Sequence, residues 1–513
     1  MKSLRRFLDE ACAAAPERTF LYEADRCVSY DECARLTDAV AAEYLALGLK
    51  PGDRLAISLP TGSTHLWAWL AAAKIGAVAC PLHTELAPME LQRALRHLEP
   101  HAWIADTQRL SRVDRALHPR HLIVSDNTAK LDTSQPDSDG ASRVQLANPS
   151  SSSTHIDWND LATSTRTLAS VDEPDPQQVS DILTTSGTTG APKSAMLSGR
   201  MALLTGEAFA WWLQLTSDDR LFTCLPLSHI NARYYSTLGA IAARASLALA
   251  PKFSASRFWS TVGESGATVC NAIGAMLKIL LERPASSEER SHRLRLVYAA
   301  PALGEPAHSH FEARTGTRLV IGYGLTESTF GFIQPLDASR DVASLGLPRS
   351  HPDPRHRAEV RLVDGEIQLR NDATFDGYFR DPDATAEAFD AGWLKTGDLA
   401  RCDERGIYTF LGRKKLVIRR RGENLTPGEV EAVLEQHPAV LEAAVVGVPS
   451  PLGDDDVRAY VVWRDGVGVS EQELTAFCAQ HLAGFKLPTQ WRFVPGLPRT
   501  PTQRIAYHEL PQE

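Results

Sequence analysis

The segment Thr184 to Lys193 reads TTSGTTGAPK, a run dominated by Ser, Thr and Gly that ends on a cation. It follows a short apolar strand at Asp181-Ile182-Leu183. Such a stretch contributes little to a core. Its closely spaced backbone N–H groups, its hydroxyls and Lys193 suit a polyphosphate. It is not the G-x-x-x-x-G-K-[ST] loop, and the competing reading is a solvated surface loop. A second segment, Gly322-Tyr323-Gly324-Leu325-Thr326-Glu327, follows the apolar strand Leu319 to Ile321. Strand ends are where open α/β sheets bind ligands. Tyr323 offers a flat face for a base, and Glu327 offers hard oxygen ligands; the competing reading is a strand-to-helix turn with capping Thr and Glu.

Two further segments add chemistry. Trp393-Leu394-Lys395-Thr396-Gly397-Asp398 places an acid at a turn, where its carboxylate can accept two hydrogen bonds from a ribose diol. An ordinary Gly-Asp turn is the plainer alternative. From Gly412 to Glu431 the chain reads GRKKLVIRRRGENLTPGEVE, and six of the nine residues from Arg413 to Arg421 are basic. These cations suit phosphates or a solvated basic edge. Pro427 to Glu431 opens a helix with acids in its first turn, as the helix dipole favours.

The elements that must position these segments alternate. Tyr30 to Leu47 is an amphipathic helix stopped by Gly48 and Pro51. Arg54 to Leu59 and Gly76 to Pro81 read as strands around the apolar helix Ser63 to Lys74. Pro88 to His97 is helical, followed by strands at Ala102 to Ala105 and Leu122 to Val124. Further on, strands are expected at Leu221 to Pro226, Ala245 to Leu249, Thr268 to Ala272 and Leu294 to Ala299, with a helix over Gly274 to Glu282. This alternation predicts an α/β fold, a large N-terminal domain of mostly parallel sheets covered by helices. Asn127 to Asp160 breaks the pattern and reads as an exposed, mobile insertion. Beyond Gly412 a compact pattern of strands (Val440 to Val448, Val457 to Trp463) and a helix (Glu471 to Leu482) predicts a small α+β domain. The expected organisation is residues 1–412, a hinge near 413–416, and a mobile lid over 416–513.

Composition narrows the function classes. The 513 residues carry 54 Lys and Arg against 63 Asp and Glu, a net charge of −9, which gives no general affinity for nucleic acid or an anionic membrane. Hydrophobic content of 43% and charged content of 23% are those of a globular protein. The start, MKSLRRFLDEACAAAPERT, does not read as a signal peptide, and no run approaches 18 uninterrupted apolar residues. Eight cysteines are scattered without C-x-x-C spacing, which points to reduced thiols, a cytoplasmic protein and no zinc site.

The four segments, in this order across some 250 residues, resemble the motifs of the adenylate-forming superfamily, which comprises acyl-CoA synthetases, peptide-synthetase adenylation domains and luciferases. The resemblance covers nearly the whole chain. It implies an enzyme that activates an acid with ATP and Mg²⁺ as an acyl-adenylate, releases pyrophosphate and passes the acyl group to a thiol. Thr185, Ser186, Gly187, Thr188, Thr189, Gly190 and Lys193 match the phosphate-binding loop, with Ser194 where a glycine is usual. The resemblance gives Tyr323 to adenine, Thr326 to the α-phosphate, Glu327 to Mg²⁺, Asp398 to the ribose, Arg413 to ribose and phosphate, Ala300 to the nucleotide, and Lys415 to the hinge. Leu416 stands where an acidic residue is common. Pro226-Leu227-Ser228-His229-Ile230-Asn231 is similar to the segment that gates the acyl pocket, so His229, Asn231, Tyr234, Tyr235, Asn271, Ile273 and Ala299 are expected to line it. Gly422-Glu423-Asn424 resembles the loop completing the pantetheine channel.

The family pattern Pro-x-Thr-x-x-Gly-Lys appears here as Pro498-Arg499-Thr500-Pro501-Thr502-Gln503-Arg504. Arg504 keeps a cation in the adenylating position but is planar and weakly hydrated, so the exchange is not conservative. Lys252 to Trp259 (KFSASRFW), with Arg419 to Asn424, resembles the carnitine/crotonobetaine-CoA ligase branch. The leading expectation is an ATP-dependent ligase joining a small or aromatic acid to CoA. The Lys-to-Arg exchange keeps open a diazotase, as found among bacterial relatives of CoA ligases, which activates nitrite for attack by an aromatic amine. A non-catalytic nucleotide-binding protein is the third class; Lys193, Glu327, Asp398 and Arg413 argue against it. The partners are then a small acid and a thiol or amine acceptor.

Overall fold

The computed structural model describes residues 2–24, 26–125, 153–168, 172–185, 193–300, 303–337, 340–420, 423–450, 455–464, 468–500 and 504–511. Its centre is the helix Ser63–Ile75, buried on every side; Leu66, Trp67, Trp69, Leu70 and Ile75 lie between two large sheets. A helix apolar all round has no solvent face to present, so it is sandwiched. Its one cation, Lys74, has no exposure and bridges Asp9 (2.8 Å) and Asp38 (2.6 Å).

The first sheet has nine strands. Six of them run parallel in the order Arg318–Leu325, Leu296–Ala299, Val269–Ala272, Arg220–Thr223, Ser246–Leu249 and Thr19–Glu23. The second has eight strands, parallel through Val179–Thr185, Val78–Pro81, Arg54–Ser58, Ala102–Ala105, His121–Val124 and Thr154–Asp157. Helices Tyr30–Ala46, Ser63–Ile75 and Gly199–Trp212 fill the space between them. A smaller antiparallel sheet joins Ala358–Val363, Glu366–Asn371, Trp393–Cys402 and Tyr408–Arg413. Beyond the 3₁₀ turn Lys414–Leu416, strands Val440–Pro449, Asp455–Trp463 and Gln490–Phe493 form a three-stranded sheet packed on helices Pro427–Leu434 and Glu471–Ala479. The α/β reading with a small α+β unit at the C-terminal end therefore holds.

Two readings change. Of the segment 127–160, residues 127–152 lie outside the described residues, but its end is built into the fold. Thr154–Asp157 adds an edge strand, and Trp158–Ala162 is a helix with Trp158 and Leu161 buried. The Asp157 side chain caps that helix on Asn159 N (2.8 Å); three apolar residues and a cap outweigh the polar composition around them. The phosphate segment leads into a strand: Val179–Thr185 pairs antiparallel with Lys193–Ser198, which puts Lys193 at its start. The competing reading of Gly322–Glu327 as a strand-to-helix turn does not hold. Arg318–Leu325 returns as Ser328–Ile333, and Thr326-Glu327 is the two-residue connection of this hairpin.

Candidate active site

The cleft between the large sheets and the C-terminal unit collects the chemically active side chains. Tyr323, on the strand Arg318–Leu325, donates its hydroxyl to Asp398 Oδ2 (2.7 Å). Asp398 lies in the strand Trp393–Cys402 after Gly397, whose φ of +70° makes the bulge that turns the carboxylate inward. It is 2% exposed, and Arg413 Nε lies 2.6 Å from its Oδ1. Burial raises the Asp398 pKa, opposed by Arg413 and Tyr323. Asp398 Oδ2 is thus taken by Tyr323, while Oδ1 is ion-paired with Arg413 but buried without a hydrogen-bond partner among the described residues. Nearby, Glu366 accepts from Gly397 N (3.0 Å) and Lys414 Nζ (2.8 Å), fixing the bulge.

On the opposite wall Glu327 accepts from the Tyr378 hydroxyl (2.8 Å), and Lys193 Nζ sits 4.8 Å from the centroid of the Tyr378 ring. Tyr378 thus couples the hairpin carboxylate to the phosphate-segment lysine, helped by a Coulombic cation–π contact. It lies on Gly377–Tyr378, an edge strand against Lys193–Ser198. Sequence reasoning missed it, because an isolated Gly-Tyr pair carries no spacing signal. Glu327 offers a carboxylate beside a lysine, and among the described residues no group of three or more metal-ligating side chains exists. One carboxylate with substrate phosphates completing the shell is how Mg²⁺ is usually held, so Glu327 fits it and a protein cage is not required.

Arg504 enters from the C-terminal segment. Arg504 N is 3.2 Å from Thr500 Oγ1, and Arg499 bridges Ile505. The residue is exposed in surface area, although many atoms surround it at longer range. Burial and Arg413 lower its pKa, while Asp398, Glu327 and Tyr323 raise it. The guanidinium is therefore within electrostatic range of Asp398, Glu327 and Tyr323. His229 lies within its electrostatic reach: burial, His83 and Arg504 push the imidazole down to about 4, so it is neutral at pH 7. The His83 and His229 rings lie 5.7 Å apart.

Two comparisons bear on this cleft. Residues 8–379 match the family model "AMP-binding enzyme", and residues 429–504 match "AMP-binding enzyme C-terminal domain". The chain belongs to the AMP-binding enzyme family. It is an adenylate-forming ligase. Crotonobetaine/carnitine–CoA ligase of Escherichia coli is 30% identical over 502 residues, covering 94% of this chain and 92% of that protein. ATP-bound MatB from Rhodopseudomonas palustris superposes with a TM-score of 0.85 at 25% identity, over 99% of this chain and 98% of that one. O-succinylbenzoate-CoA synthetase from Bacillus subtilis, in complex with ATP and a magnesium ion, shares the fold at 24% identity with a TM-score of 0.79, over 98% of each chain.

The residues expected to line the acyl pocket of this ligase lie at the ends of the parallel strands of the nine-stranded sheet. Asn231 and Tyr235 project from a π-helical segment, Asn231–Leu238, a wound-out geometry common at functional sites. Asn231 Oδ1 accepts from Asn271 Nδ2 (2.6 Å), and Asn271 Oδ1, fully buried, has no partner among the described residues. Ala299 ends its strand, Ala300 follows it, and Ile273 precedes the helix Gly274–Glu282. Tyr234 departs from expectation. Its hydroxyl donates to Asp181 (2.8 Å) and its ring stacks on Trp69, in the core between the two large sheets. One residue's rotation along the helix turns it away from Asn231 and Tyr235. Thr185 donates its hydroxyl to Lys193 O (3.3 Å), and Thr326 sits at the hairpin connection. Ser186, Gly187, Thr188, Thr189 and Gly190 lie outside the described residues, as do Arg421, Gly422, Pro301 and Gln503; Lys415 is described by its backbone alone.

Proposed function

We propose that this enzyme adenylates a small or aromatic carboxylic acid with ATP and transfers the acyl group to a thiol, CoA in the leading reading. The observation that carries it is the convergence of Lys193, Glu327, Tyr323, Asp398, Arg413 and Arg504 on one cleft. Tyr323 and the Asp398–Arg413 pair form the nucleoside end. Lys193 lies at the phosphate end, where an ammonium offsets charge on the β- and γ-phosphates. Mg²⁺ held by Glu327 would supply further charge neutralisation there. A carboxylate oxygen of the acid attacks the α-phosphorus, the bond to the bridging oxygen breaks, and pyrophosphate leaves. The Arg504 guanidinium is the cation aimed at charge that builds at that centre. In the second step a thiolate attacks the acyl carbon and AMP departs with the bonding pair. Neutral His229 beside the cleft offers no positive charge to hold the adenylate against that departure.

A second reading is favoured by Arg504 itself, a guanidinium where the family carries lysine. Its planar fork matches two oxygens of one small acid, and nitrite has that geometry. Nitrite activated as an AMP mixed anhydride would be attacked by an aromatic amine. The deciding experiment monitors pyrophosphate and AMP with a panel of carboxylic acids plus CoA, beside nitrite plus aromatic amines. Acyl-CoA as product supports the first reading, and a diazo chromophore the second. Absence of pyrophosphate with every acid would overturn both.

A further inference from the structure

Arg349 is a buried cation beside the expected acyl pocket that the reaction above does not use. It is 1% exposed. Its Nη1 donates to the Tyr235 hydroxyl and to Thr329 O, both at 2.9 Å, and its Nη2 donates to the Tyr298 hydroxyl. The guanidinium lies 4.5 Å from the centroid of the Trp212 ring. Nε has no hydrogen-bond partner, and no carboxylate lies within 4 Å, among the described residues. The charge is enclosed by two hydroxyls, a carbonyl and the rings of Trp212, Tyr235 and Tyr298 (the last two at 5.3 and 5.5 Å), with no carboxylate counter-ion among the described residues. Enclosing a cation in this way is costly unless an anion arrives to match it.

Its position is specific. A Cβ on Gly322 would fall 2.0 Å from Arg349 Nη2 and 2.3 Å from the Tyr298 hydroxyl, so the first glycine of the nucleotide motif exists to admit this pair. Tyr235 stands likewise against Gly324, 3.1 Å from where its Cβ would be. Tyr235 also shares its π-helical segment with Asn231, whose partner Asn271 lies level with Tyr298 on the neighbouring strand. The cation is therefore set where the nucleotide motif meets the acyl side, and the buried, unpartnered Asn271 Oδ1 lies in the same cluster.

We propose that Arg349, held by Tyr235 and Tyr298, is a specificity-determining residue that selects a short acid bearing a second anionic group, a dicarboxylate, and rejects acids that carry a cation. This rests on the adenylation reading above. The reacting carboxylate faces Arg504, and the distal one supplies the counter-charge to Arg349 by a charge-assisted hydrogen bond. The second carboxylate undergoes no reaction.

The test measures pyrophosphate release by the full-length enzyme with ATP and Mg²⁺. Malonate, succinate, glutarate and phthalate are compared with propionate, butyrate, valerate and benzoate, and with carnitine as the cationic acid. At least one dicarboxylate is expected to exceed its matched monocarboxylate by roughly 10–100-fold in kcat/KM, the range for a hydrogen bond to a charged group. Carnitine should give no turnover. Arg349→Met should erase or invert that order while leaving KM for ATP within a few-fold. If Arg349→Met does not fold, Arg349→Lys should keep the order of preference and lower dicarboxylate turnover by about tenfold, because the charge stays and the fork is lost. Preference for monocarboxylates or carnitine in the wild type overturns the assignment, as does an unchanged preference in a folded Arg349→Met or, where only Arg349→Lys folds, undiminished dicarboxylate turnover. Failure of every acid in this panel to release pyrophosphate is a different result: it overturns the small-carboxylate reading and this inference together, and leaves the nitrite reading standing.

Discussion

Arg504 carries the largest departure from the pattern of the family, and its consequences separate cleanly. It lies within electrostatic range of Asp398, Glu327 and Tyr323 on one segment of the C-terminal unit, so its charge is expected to act on the first half-reaction. Arg504→Ala is expected to slow adenylation by roughly 10²–10³-fold, the loss typical for one preorganised electrostatic donor. Thioester formation from a supplied acyl-adenylate should stay near wild type. Single-turnover assays of the two steps check this, and wild-type adenylation in the variant would return Arg504 to a solvated role. Arg504→Lys discriminates further. If only charge matters, lysine restores the rate; if the guanidinium fork grips the acid, lysine fails.

At the scale of elements, the hairpin Arg318–Leu325 to Ser328–Ile333 does most to organise the cleft. It presents Tyr323 on its first strand and Glu327 in its connection, and its glycines make room for neighbours. Gly331 lies under the Tyr323 ring: a Cβ there would fall 2.4 Å from Tyr323 O and 2.7 Å from Tyr323 Cδ1. At Gly322 the obstruction is Arg349 and Tyr298, both held in place by hydrogen bonds. Gly322→Ala is therefore expected to cost about 1–3 kcal/mol of stability, as overpacking of a rigid core does. It should also raise KM for the acid more than KM for ATP. Urea unfolding and steady-state kinetics test the two parts; unchanged values in both would mean that the Arg349 side chain is free to move aside.

For the whole molecule, the two units meet through ion pairs that are partly exposed. Lys278 on the large unit bonds Glu435 on the small one at 2.9 and 3.0 Å, and Arg464 on the small unit pairs with Glu282. Such pairs contribute about 0–1 kcal/mol each. That is too little to fix the small unit, but enough to bias its pose. Reversing both with Glu435→Lys and Glu282→Lys should slow adenylation about three- to tenfold while leaving the thermal midpoint nearly unchanged. Loss of thermal stability without a kinetic effect would contradict a biasing role. The pH response of the fold is a second global property. His65 is buried in the central helix, with Nδ1 3.1 Å from Leu59 O, and burial together with Arg233 lowers its pKa to about 3. The unfolded chain takes up this proton near pH 6.5 and the folded chain does not, so stability falls as pH drops from 6.5 toward 3. His65→Gln should flatten this limb by up to about 2 kcal/mol between pH 7 and pH 5. Urea midpoints across that range provide the check.

Local signals determined the elements and the family of this protein. Helix periods at Tyr30–Ala46 and Ser63–Ile75, and apolar runs at Ala102–Ala105 and Val269–Ala272, depend on neighbours a few residues away, so they are legible in order along the chain. The motifs around Lys193, Tyr323, Asp398 and Arg413 are likewise short and ordered, which is why the resemblance to the family is readable along the chain; the roles expected of the single residues come from that resemblance. The path of the chain beyond each motif is not readable in that way. A hairpin and a strand-to-helix turn begin alike after Leu319–Ile321, and only pairing with Ser328–Ile333 decides between them. Trp158 and Leu161 look like strays in a polar stretch until a strand edge gives them a surface to cover. Tyr234 and Tyr235 are adjacent in sequence, yet one faces Asp181 and the other Arg349, a choice made by the winding of one helix. Tyr378 and Arg349 carry no motif. Their roles arise because chain segments 51 residues apart, at Tyr378 and Glu327, and 114 residues apart, at Arg349 and Tyr235, are brought within hydrogen-bond reach by the sheets. Long-range contacts of this kind leave no local periodicity, and only the folded sheets create them.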